Sequence, residues 1–138
     1  MKTKFFGEID VNVDNEYLFE KGIPGFESCK RFVLIQEDDS SFYYLQSVDE
    51  AELCFIMLSP WGFKETYRLE KLDVIAEILG ETKDLEVYVI ANMGRGLQDS
   101  FVNMQGPILL NPDTKKGTQW IVEDSKYTTR TPLIEVFK

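Results

Sequence analysis

The clearest signal along this chain is a period of two. In Glu8-Ile9-Asp10-Val11-Asn12-Val13 every second residue is apolar and its neighbours are polar, the pattern of a half-buried strand. Asp14-Asn15 reads as a turn and Tyr17 to Phe19 as a short strand. Lys21-Gly22-Ile23-Pro24-Gly25-Phe26 reads as an ordered loop, since its Gly and Pro residues suit neither a helix nor a ladder. Arg31 to Gln36, Phe42 to Ser47 and Leu53 to Leu58 are rich in β-branched and aromatic residues, and acidic turns separate them, so they predict a meander. Leu85 to Asn92 is apolar on both faces, which predicts a central strand. Shorter strands are expected at Phe101 to Gln105, Ile108 to Asn111 and Thr118 to Val122, bounded by Gly106-Pro107 and Asn111-Pro112-Asp113.

Only one segment has helical periodicity. Val74, Ile75, Ile78 and Leu79 cluster on one side, Asp73 is placed to cap the N-terminus, and Gly80 suits the C-terminal stop, giving about two turns. Many short strands with one brief helix predict a mostly β fold, an antiparallel sheet curled into a barrel or sandwich. At 138 residues, 43% hydrophobic and 28% charged, the chain is expected to form one domain spanning residues 1–138 around a real core.

Charge narrows the range of partners. The net charge is −9, and residues 111–138 carry 5 basic and 4 acidic side chains, so the acid is concentrated before them. Such a field repels phosphate backbones and anionic membranes and steers in a basic protein. No apolar run is long enough to span a bilayer, and Glu8 interrupts the N-terminus before a signal-like core forms, so a cytoplasmic protein is expected. Cys29 and Cys54 lack Cys-x-x-Cys spacing and read as buried thiols in a reducing compartment.

The chain has no histidine, which removes the usual general base and the commonest transition-metal ligand together. The carboxylate pairs Asp38-Asp39 and Asp49-Glu50 lie in polar turns, with no apolar pocket to raise a pKa for acid catalysis. Asp10-x-Asn12-x-Asp14 begins like a calcium loop, but Asn15 and Lys21 stand where a glycine and a bidentate glutamate are needed. Gly94-Arg95-Gly96-Leu97-Gln98-Asp99 lacks the lysine and long helix of a phosphate loop and reads as a hairpin connection. No catalysis, metal or cofactor is expected.

The order of the turns is more specific. Gly22-Ile23-Pro24-Gly25-Phe26-Glu27, the stretch from Leu45 to Ile56, the run Val102-Asn103-Met104-Gln105-Gly106-Pro107-Ile108-Leu109-Leu110-Asn111, and Gly117-x-Gln119-Trp120-Ile121-Val122 with Asp124 to Leu133 resemble the successive signatures of the FliW family. Gly106 departs from the family's usual alanine, and Ala51 stands where proline is common. The resemblance implies an antiparallel barrel-like domain that assists flagellar assembly. Such proteins bind flagellin and, when free of it, sequester the RNA-binding carbon storage regulator CsrA, relieving repression of flagellin translation.

An acidic surface suits a basic RNA-binding target. Candidate steering residues are therefore Asp38, Asp39, Asp49, Glu50 and Glu52. Among the aromatics Phe42, Tyr43, Tyr44, Trp61 and Phe63, the candidate anchors are Phe42, Tyr44 and Phe63. The alternative from another class is a small β-barrel that binds a small-molecule ligand, which requires a deep apolar pocket. An oligonucleotide-binding barrel is the other alternative, and the acidic charge weighs against it.

Overall fold

The computed structural model describes residues 1–12, 14–36, 41–63 and 67–136. Among these residues, ten strands and two α-helices follow one another as β1 (Lys2–Thr3), β2 (Gly7–Glu8), β3 (Glu16–Leu18), β4 (Arg31–Gln36), β5 (Phe42–Ser47), β6 (Cys54–Leu58), α1 (Leu72–Leu79), β7 (Glu86–Asn92), β8 (Phe101–Asn111), β9 (Lys116–Gln119), β10 (Thr131–Pro132) and α2 (Leu133–Val136). Strands β1 and β2 form a separate hairpin. The rest pair in the order β10-β8-β7-β6-β5-β4-β3-β9, and β9 returns to β8, closing a barrel of seven strands from β3 to β9. All its pairings are antiparallel except β3 with β9, which is parallel through the single bridge Leu18↔Lys116.

The period of two sorts side chains onto the two surfaces of the wall. Tyr17, Phe32, Leu45, Met57, Tyr88, Ile108 and Leu110 join Phe19 and Ile23 in one buried cluster, which fills the barrel. Their sequence neighbours Leu58, Val87, Val89 and Leu109, together with Val102, belong to a second cluster on the outside of β6, β7 and β8. Ile75 and Leu79 of α1, with Tyr67, Val122, Tyr127 and Leu133, cover that outer wall. Each such aliphatic side chain contributes roughly 2 kcal/mol when fully buried. A wall apolar on both surfaces is why β7 carries a continuous apolar run.

Three expectations are corrected. Ile9 to Asn12 lie outside any strand, and Val13 lies outside the described residues. Asp14 N–H donates to Asn12 Oδ1 at 2.9 Å and Asn12 N–H to Asn15 Oδ1 at 3.1 Å, so local side-chain turns take the bonds a ladder would need. Asp73 sits within the first turn of α1, whose N-cap is Lys71 in the left-handed region (φ 57°) with no side-chain cap bond. Gly106-Pro107 does not end a strand, because β8 runs unbroken through it with a register shift against β7. Asn103 Oδ1 accepts from both Gln105 N–H and Gly106 N–H at 3.1 and 2.9 Å, and the bulge places the donorless Pro107 where no ladder bond is lost.

Candidate partner-binding surface

The β5–β6 turn is built from its buried end outward. Ser47 is fully buried, and its hydroxyl accepts from Asp49 N–H and Glu50 N–H at 3.1 and 2.9 Å. Gln46, also fully buried, donates from Nε2 to the carbonyls of Ser47 and Ala51. Asp49 Oδ2 then accepts from Lys30 N–H at 2.8 Å and Arg31 N–H at 3.1 Å, which ties the turn to the entry of β4. The Asp49 carboxylate is therefore a structural clasp, while Glu50 and Glu52 stand exposed at the rim. Beside them Arg31 is held charged, its pKa raised first by the hydrogen bond and charge of Glu16 and less by Asp49.

The remaining candidates lie elsewhere. Phe42 pairs with Leu58 across β5 and β6, and both Phe42 and Phe63 are half-buried against the outer core. Tyr44 is half-buried with its ring edge-on to Phe6 at 5.1 Å. Phe42 and the acidic turn occupy opposite ends of the β5–β6 hairpin, roughly 17 Å apart over the steps from Phe42 to Ser47. Asp38 and Asp39 lie outside the described residues.

At the end of β6 an exposed aromatic is Trp61, 57% accessible, with Leu72 of α1 at 59%. Both line a depression of 460 Å³ whose floor includes Tyr67, Leu69 and Leu85. The signal was the tripeptide Pro60-Trp61-Gly62, which confines the indole to a tight turn at the end of β6 and so away from the packed wall.

Among the described residues the candidate positions form contact surfaces. Burial pushes the Cys54 thiol up to about 11, so it stays protonated at neutral pH and is a poor nucleophile. Among the described residues no group of three or more Cys, Asp or Glu is placed to hold a metal ion, and no helix is long and apolar enough to cross a membrane. The barrel interior is occupied by its own side chains: Phe19, Phe32, Leu45, Met57, Ile108 and Leu110 are all essentially inaccessible.

Known proteins share both the sequence and the architecture. The family model described as FliW protein matches residues 1–133. The flagellar assembly factor FliW of Caldicellulosiruptor bescii is 35% identical over 137 residues, covering 98% of this chain and 90% of that protein. The factor of the same name from Bacillus subtilis is 36% identical over 134 residues, covering 95% and 94%. A solved crystal structure of the flagellar assembly factor FliW superposes with a TM-score of 0.87 at 35% identity, covering 96% of this chain and 95% of that one. With the match running through barrel, helix and C-terminal segment alike, this chain belongs to the FliW family of flagellar assembly factors.

Proposed function

We propose that this chain is a non-catalytic, cytoplasmic regulatory protein of flagellar assembly, acting as one domain, that binds flagellin and, when free of it, sequesters CsrA to relieve repression of flagellin translation. The observation that carries this reading is the near full-length agreement with flagellar assembly factors in both sequence and fold. The net charge of −9 supports it, since an acidic surface attracts a basic RNA-binding regulator and disfavours direct contact with nucleic acid. A filled barrel leaves the small-molecule alternative without an interior site. A switch of this kind needs only competing affinities, and a tenfold preference corresponds to about 1.4 kcal/mol.

Within this reading Glu50 and Glu52 steer the basic partner, and Asp49 holds the turn that presents them. Reversing both glutamates to lysine is expected to slow association with CsrA roughly tenfold at low salt, with the difference fading as salt rises, and to leave thermal stability near that of the parent. Stopped-flow association across a salt series checks it. Unchanged rates at low salt would remove these residues from the interface.

A further inference from the structure

We propose that the groove between α1 and the outer edge of β9 is a peptide-binding site that accepts an extended segment as an additional strand. Strand β9 is paired with β8 along one side, and the ladder continues past its end, with Trp120 N–H donating to Pro107 O at 2.9 Å and Val122 N–H to Gln105 O at 2.7 Å. On its other side β9 meets β3 only at Leu18↔Lys116, after which the β3 chain turns away, Gly22 N–H closing on Phe19 O at 2.9 Å. Alternate residues of an extended chain direct their backbone groups to opposite sides. Gln119 and Ile121 therefore present N–H and C=O away from β8, and among the described residues no backbone group takes them. A closed barrel normally has no such edge, and an unpaired one is a template for another chain.

The space in front of this edge has the shape a strand requires. A groove of 390 Å³ is walled by Val74 and Ile78 of α1 and by Trp120, with Ile121, 58% accessible, on its lip. A second depression of 290 Å³ shares Lys21, Ile78 and Thr118 with it and extends it along β9 to Lys116. Beyond the bridge at Lys116, the open edge from Thr118 to Ile121 is about 10 Å long at the rise of a strand, enough for three or four residues. The ion pairs Lys71–Glu123 at 3.0 Å and Lys116–Glu20 at 2.9 Å mark its two ends. Between them Glu70 and Glu77 line the helix side with no ion-pair partner among the described residues. The occupant that fits is an extended protein segment with apolar residues at alternate positions, filling the space between α1 and Trp120, and a lysine or arginine facing the helix side. This assignment does not depend on which proteins the chain serves.

The test selects short random displayed peptides on the folded wild-type protein and titrates the enriched peptides against wild type, Ile121→Pro and Ile121→Thr. Proline removes one N–H that faces away from β8 and keeps the side chain's apolar character, whereas threonine keeps the N–H. The peptides are expected to bind Ile121→Pro about tenfold more weakly and Ile121→Thr within about threefold of wild type, the size of one backbone hydrogen bond. They are also expected to slow amide exchange at Gln119 and Ile121 of the wild-type protein, a readout that survives if the proline variant fails to fold. Failure to enrich any peptide, equal binding to Ile121→Pro, or protection confined to another face would overturn the proposal.

Discussion

Replacing Asn111 with alanine is expected to lower the unfolding free energy by about 3 kcal/mol, shifting the urea midpoint with little change in slope. Asn111 is fully buried at the end of β8. Its Nδ2 donates to Leu79 O and Gly80 O at 3.0 and 3.1 Å, and its Oδ1 accepts from Asp113 N–H and Thr114 N–H at 2.9 and 3.2 Å. One carboxamide therefore closes the C-terminus of α1, where carbonyls lack helical partners, and also shapes the turn into β9. Alanine leaves four backbone groups to find new partners. Thr114 Oγ1 still donates to Leu79 O at 2.6 Å, which limits the loss at that carbonyl. A loss under about 1 kcal/mol would show that water replaces the side chain at these four backbone groups.

The second large effect lies inside the barrel. A Cβ at Gly117 would stand 2.5 and 2.6 Å from two ring carbons of Phe19 and 2.8 Å from Leu110 Cδ2. Neither neighbour has room to retreat, because Phe19 and Leu110 are both fully buried and Phe19 meets Phe32 edge-on at 5.1 Å. Gly117→Ala is therefore expected to cost roughly 2–3 kcal/mol through overpacking. Phe19→Leu alone is expected to cost about 1–2 kcal/mol as a lost-volume substitution. Combined, the two should cost less than their sum by about 1 kcal/mol, since the smaller residue vacates the space the new methyl needs. Additive costs in a double-mutant cycle would contradict the close approach of β9 to the barrel's centre.

Those two residues also show where local pattern ceases to inform. The stretch from Arg31 to Leu58 was legible because its three successive strands alternate between a filled interior and a half-covered exterior. The same period misled at Ile9 to Asn12, where Asn12 and Asn15 capture the backbone bonds. At Gly106-Pro107 composition suggested a break, while Asn103 supplies the acceptor that lets β8 bulge and continue. The short β10 and α2 carry too few residues for any periodicity, and they form because Leu133 N–H reaches Ser100 O at 2.9 Å.

The candidate surface was legible in kind more than in place. That acids crowd the β5–β6 turn is visible in the sequence, but the bonds that make Asp49 a clasp reach back 18 and 19 residues to Arg31 and Lys30. Half-burial of Phe42 and Phe63 depends on an outer layer contributed by α1 and the C-terminal segment, distant in sequence from both. Trp61 was within reach, since Pro60 and Gly62 on either side of it mark a turn, and turns lie at the surface.

The central claim is that this protein exchanges one protein partner for another. Its most direct test is calorimetric titration with CsrA and with monomeric flagellin from the same organism, separately and then in competition. The account predicts that each binds alone and that flagellin, added to the complex with CsrA, displaces it. Binding of neither protein, or undiminished binding of CsrA in the presence of saturating flagellin, would contradict it.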